Sequence, residues 1–288
     1  MATLGAGGGM VQELHSSEHP FPQALRTPAS IRVSDRPGAC CQCDFCVTIF
    51  LSMSIDYWID RLEDPFEMFA LLQVLGSLGG LAEAADASRA ERAGWWGVSP
   101  KYYSAEDEHD IEVVEHLIGS AFVLAQASIT QAVTILKRMH EDAGCLAWIP
   151  KEKAVVLKTA APVHSDTGLS QIVVINTAAD YYKHRSEWKE EEWAGPTYKN
   201  KTIANAVALG LGPKGYHNME RALRELQIYP RNMAPLGNIV GQWREALADS
   251  LRTEGEKHGV TIRPRFPEEL DDQQPSIPLA SLDDDVPF

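Results

Sequence analysis

The 288 residues carry 26 Lys and Arg against 40 Asp and Glu, a net charge of −14 at a sequence pI near 5.1. That balance argues against a body that grips nucleic acid over a wide basic face, although a local patch stays open. The hydrophobic share of 44% is ordinary for a globular chain. No uninterrupted apolar run reaches the ~18 residues of a membrane span, and the start lacks the basic-then-apolar layout of a signal peptide. The expectation is a cytoplasmic protein with no membrane partner.

Residues 1–53 read as a disordered leader. Gly5 to Gly9 is GAGGG, and Pro20, Pro22, Pro28 and Pro37 break up the stretch after it. Met53 stands directly before a well-patterned segment, Ile55 to Ile59, so a native start at Met53 is one expectation; the intact mass of the native protein tests it. Cys40, Cys41, Cys43 and Cys46 form two overlapping CxxC spacings, a soft-metal pattern. No second ligand pair follows and Cys145 is distant, so we expect no metal site and no cofactor.

Residues 54–255 read as one mostly α domain, a helical bundle with at most a short β-hairpin. From Asp64 to Arg92, Phe66, Phe69, Leu72, Leu75 and Leu78 recur at helical spacing, and Asp64-Pro65 is a start signal. Gly76, Gly79 and Gly80 predict a break in its middle. Ala105 to Ala143 is the strongest helix, ~58 Å if unbroken. Acids fill its first turn, Lys137, Arg138 and His140 lie near its end, and Gly144 closes it. Its apolar face is expected at Val113, Leu117, Ala121, Leu124, Ile129, Val133 and Leu136.

Leu146 to Ile149 and Ala154 to Leu157 flank Pro150 to Lys153 as the candidate hairpin. Further helices are expected over Gly168–Glu192, Thr197–Leu211, Lys214–Ile228 and Ala234–Arg252. The last should turn Ile239, Trp243, Leu247 and Leu251 inward. The five strands of an OB-fold are not found.

The most suggestive body segment runs from Asn176 to Arg185. On one helix Asn176, Asp180 and His184 follow at i, i+4 and i+8, with Lys183 on a neighbouring face. Asp180 is placed to hydrogen-bond the His184 imidazole and raise its basicity. The segment resembles the HEPN family of helical ribonucleases and toxins. Those proteins carry an Arg, a few polar residues and a His on the last long helices of a four-helix bundle, often as a dimer. The resemblance implies His184 as the catalytic His, with Asn176, Asp180, Lys183 and Arg185 around it, and a homodimer. The departure is that no Arg precedes His184 by four to six residues; Arg185 follows it. The alternative is a partly exposed helix with a satisfied histidine.

Gly210 to Gly215 is Gly-rich, but it lacks the GK[ST] ending and preceding strand of a phosphate loop and reads as a helix–helix turn. The helices on either side of it have the size of a helix-turn-helix. Lys214, His217, Arg221 and Arg224 put positive charge on the second, so this is the candidate nucleic-acid contact.

Residues 256–288 read as an extended tether. Pro267 to Ser281 holds three Pro, two Gln, four acids and no aromatic residue, a composition that cannot build a core. The chain ends Asp283-Asp284-Asp285-Val286-Pro287-Phe288. A terminal Phe offers a ring for burial and an α-carboxylate for a charge-assisted hydrogen bond. Pro287 lowers the entropy lost on docking, and three aspartates can be steered to a basic rim.

This tip resembles the acidic C-terminus of bacterial single-stranded DNA-binding proteins, over about the last eight residues and the character of the linker. In that family the tip docks on enzymes of DNA repair, recombination and replication. The resemblance implies Phe288 and Pro287 as the anchor, Val286 as an added contact, and Asp283, Asp284 and Asp285 as steering charges. Three functions remain open: an interaction protein of bacterial DNA metabolism, a HEPN-like nuclease centred on His184, and a structural helical protein with a solubilising tail.

Overall fold

The computed structural model describes residues 44–96, 105–162, 167–193, 201–213 and 217–263. Of the chain's two units, Met1–Cys41 and Gln42–Phe288, only the second contains described residues. These form α1 (Asp44–Leu62), α2 (Pro65–Trp96), α3 (Ala105–Asp142), α4 (Lys153–Val156), α5 (Gln171–His184), α6 (Glu190–Trp193), α7 (Lys201–Ala208), α8 (Asn218–Glu225) and α9 (Ala234–Lys257). The fold is mostly α. Among the described residues there is no strand; Tyr229 and Asn232 form an isolated bridge.

The bundle is built on α3, which packs against α1, α2, α5, α8 and α9. Because neighbours surround it, its buried surface is wider than one stripe. Ile111, Val114, Ile118, Ala121, Phe122, Ala125, Ile129, Ala132, Leu136 and Met139 are buried. Of the face expected from the sequence, Ala121, Ile129 and Leu136 lie on this ridge, Val113, Leu117 and Val133 are half-buried beside it, and Leu124 is exposed. In α9, Trp243, Leu247 and Leu251 point inward as expected, and Ile239 packs at the edge of the core.

Local signals set the helix ends. Asp64 Oδ1 accepts from Phe66 N at 2.9 Å, and Pro65 stands at the first helical position of α2. Ser170 caps α5 by accepting from Val173 N at 3.2 Å. Gly144, at φ 73°, turns the chain out of α3.

Several expectations are corrected. α1 begins at Asp44, inside the stretch 1–53 expected to be unstructured. The apolar run before Met53 holds neither Pro nor Gly, so it continues the helix that buries Ile55, Ile59 and Leu62. α2 is unbroken. Its Gly79 lies against the backbone of Arg231, where a Cβ would come within 2.9 Å of the carbonyl oxygen, so this glycine permits a close approach rather than a break. The hairpin does not form. Residues 146–149 turn and 153–156 make one helical turn, which buries the adjacent Val156 and Leu157 together, as a hairpin strand with one face in solvent would not. The helix expected to run to Glu192 stops at His184.

The packed body reaches past residue 255, since Val260 and Ile262 are buried and Arg263 N donates to Asp56 Oδ1 at 2.8 Å. Cys40, Cys41, Cys43 and the tip Asp283 to Phe288 lie outside the described residues. Two stretches, Met53–Glu91 and Glu108–Asp142, are long and apolar enough to cross a membrane once up to two charges per 18-residue window are allowed. The second is the central helix of the bundle, with 50% of its window buried, whereas only 17% of the first is.

Candidate functional site

Asn176, Asp180 and Lys183 occupy the face of α5 that meets α3, and Gln126 of α3 ties them together. Its amide nitrogen donates to Asp180 Oδ1 at 2.7 Å and to Asn176 Oδ1 at 3.0 Å, while its Oε1 accepts from Lys183 Nζ at 2.7 Å. Asn176 Nδ2 donates to Asp180 Oδ2 at 3.1 Å, and Lys183 lies 3.2 Å from Asp180. Both carboxylate oxygens are engaged and the charge is balanced across a half-buried interface.

His184 is not part of this network. It is half-buried and pairs with Glu187 at 3.1 Å, one turn further on, so the expected Asp180–His184 contact is not made. Asp180 is instead taken up by Gln126 of α3 and by its helix neighbours Asn176 and Lys183. Arg185 caps the end of α5, its guanidinium 6.0 Å from the centre of the Tyr181 ring.

A second network joins α5 to the α7–α8 turn. The Tyr181 hydroxyl donates to Gly212 O at 2.7 Å and accepts from Asn218 Nδ2 at 2.8 Å. Burial pushes the Tyr181 phenol above its ordinary range, against the lowering influence of Arg185. Trp188 and Trp193 pack edge-on against the same ring. His217, at φ 68°, provides no cap for α8. The buried Glu115 of α3 supplies one, accepting from Met219 N at 3.0 Å. Of the candidate nucleic-acid residues, Lys214 lies outside the described residues. His217 and Arg224 both attend Glu220, at 2.9 and 3.6 Å, and Arg221 donates to the Gly210 carbonyl. Arg221 and Arg224 remain exposed on α8, while its apolar side is buried through Met219, Ala222 and Leu223.

No protein-family model, curated protein or solved structure matches this chain.

Sequence reasoning missed Glu115, Gln126 and Arg244. The signal was present for the first two: a polar residue set inside the apolar ridge of a long helix must be paired when buried. It also missed a cleft of about 690 Å³ where the end of α3 meets the end of α9, lined in part by His140, Cys145, Trp148 and Glu254. There His140 Nδ1 donates to Leu146 O at 3.0 Å, and Trp148 stacks on His258 with ring centres 5.8 Å apart.

Proposed function

We propose that the chain is an interaction protein of bacterial DNA metabolism, cytoplasmic, whose helical body carries an acidic tip that docks on the partner enzymes of single-stranded DNA-binding proteins. The observation that carries this reading is the terminal Asp283-Asp284-Asp285-Val286-Pro287-Phe288, set behind a Pro- and Gln-containing stretch without basic residues after Arg265. The body supports it indirectly. The polar groups of α5 are paired with one another and with α3 in a way that fixes two helices rather than presenting a general base. His184 stands apart with Glu187.

Docking would place the Phe288 ring in an apolar pocket and its carboxylate on a basic side chain. The three aspartates would mainly raise the association rate, a contribution that salt screens. The test is capture from a bacterial lysate by the intact chain beside a version lacking Val286 to Phe288. Retention of repair or replication enzymes by the intact chain alone supports the reading; identical eluates overturn it.

A further inference from the structure

The outer face of α2 is apolar where the outside of a bundle helix is normally charged. Phe66 is 82% exposed, Phe69 62%, Leu81 57% and Val74 46%. From Met68 to Ala82 the helix carries no charged residue. A helix apolar on both sides is expected to be covered on both, yet α3 and α9 cover only one.

We propose that this face binds a second copy of the chain, with the two α2 helices antiparallel about a two-fold axis at Gln73. The stripe is complementary to itself. Exposed positions 66, 69, 73, 77, 80 and 84 recur at spacings of three and four and so share one face. Along that line the large residues, Phe66 and Phe69, lie in the first half and the small ones, Ser77, Gly80 and Ala84, in the second, with Gly76 beside them and Val74 and Leu81 at the edge of the stripe. In an isologous pair centred on Gln73, each position meets the one equally far on the other side of the axis. Phe66 then meets the partner's Gly80, Phe69 meets the partner's Ser77, Ala70 meets the partner's Gly76, and the two Gln73 amides meet each other. A Cβ built on Gly76 or Gly80 meets nothing within 4 Å in the single chain, so there is room for a partner's ring at both.

A bilayer fits less well. The apolar strip is one helix wide, and the helices beside it expose Thr130 and Thr134 on α3 and Asn238 and Gln242 on α9. A strip ~27 Å long and about 10 Å wide is on the order of 300 Å² per copy. That is ordinary for the largest exposed patch of a monomer and small for an interface, so the dimer is weak and concentration-dependent. This inference does not rest on the tail.

The test is analytical ultracentrifugation of the full chain from about 1 to about 200 μM, a range set by the small interface. The expected result is reversible dimerisation that Gly80→Leu weakens at least tenfold. That variant leaves the monomer intact, because the position is open and Leu is a better helix former than Gly. Gln73→Cys should give a covalent dimer on mild oxidation, linked through the new thiol as read by peptide mass. A wild-type chain that stays monomeric at the highest concentration overturns the proposal. So does a dimer that is indifferent to Gly80→Leu and unlinked in Gln73→Cys. Flotation of a monomeric wild type with phosphatidylcholine/phosphatidylglycerol vesicles, lost in Phe69→Ser, overturns it in favour of a membrane surface.

Discussion

At the scale of single residues, the body is held by a few buried polar groups that each serve several elements. Arg244 of α9, 1% exposed, donates to the carbonyls of Leu62 and Arg61 at 2.8 and 3.1 Å, to Glu67 at 3.0 Å and to Ser128 Oγ at 3.2 Å. It closes the open C-terminal carbonyls of α1, ties them to α2 and anchors both to α9. Arg244→Ala should cost ~3–5 kcal/mol, because Glu67 and the carbonyls lose their donor inside the fold. Arg244→Met restores the packed stem but not the donors, so it should recover less than half of that loss in urea unfolding. Tyr181 gives a pH-dependent counterpart. Its folded pKa lies above the ordinary 10.0, so the unfolded chain releases the phenolic proton first. The Tyr181 contribution is therefore complete below pH 10 and declines as pH rises through the raised folded value. Urea midpoints between pH 9 and 11 should fall more steeply for the wild type than for Tyr181→Phe. At neutral pH that variant loses ~1 kcal/mol with its bond to Gly212. A half-buried histidine paired only with an exposed Glu187 behaves differently: His184→Ala should move stability by no more than ~0.5 kcal/mol. RNA cleavage by the purified chain that His184→Ala abolishes would restore the nuclease reading.

At the scale of elements, periodicity made the helices legible, and caps made some of their ends so. The expected Ala105–Ala143 and the observed Ala105–Asp142 agree within a residue, because an acidic first turn and Gly144 mark both limits. The role of the glycines in α2 was not legible. A glycine in a helical pattern reads as weakness, and only the tertiary structure shows what approaches it. Gly79 admits the Arg231 backbone, and Gly119 of α3 admits the Tyr182 ring, whose Cδ2 would lie 2.2 Å from an added Cβ. Tyr182 also reaches His116 Nδ1 at 2.8 Å, which holds the ring across α3. Likewise, the period of α5 placed Asn176, Asp180 and His184 in line, but period alone cannot choose between a partner on the same helix and one on α3. The competing partners, the Gln126 amide and the Lys183 ammonium for Asp180 and Glu187 for His184, decided the pairing. Helix propensity favours Gly→Ala by ~1 kcal/mol, yet Gly119→Ala and Gly79→Ala should each destabilise by ~1–3 kcal/mol through overpacking. Thermal unfolding of the two variants reads the sign directly; stabilisation at either would mean that the helices are free to move apart there.

At the scale of the whole molecule, charge and packing are divided along the chain. Residues 264–288 hold seven acids against Arg265 alone, so they contribute −6 of the total −14. The packed body closes just before them: Val260 and Ile262 are buried, Ile262 fills the space beside Gly255, and Arg263 is bound to Asp56. A chain ending at Arg263 keeps all of these contacts. Because the composition of residues 264–288 cannot build a core, it should unfold in urea within ~0.5 kcal/mol of the full chain, with an unchanged denaturant slope. Partner capture should behave in the opposite way. Truncation at Arg263 and loss of Val286 to Phe288 alone should abolish it equally, because the anchor is the terminal Phe and not the charge. Asp283→Asn, Asp284→Asn and Asp285→Asn combined should keep Phe288 and leave capture weaker and less sensitive to salt, the mark of steering charges removed from an intact anchor. If the triple substitution matched the loss of the terminal Phe, the affinity would lie in the charge run itself. The segment would then be acting as a polyanion rather than as a docking tip.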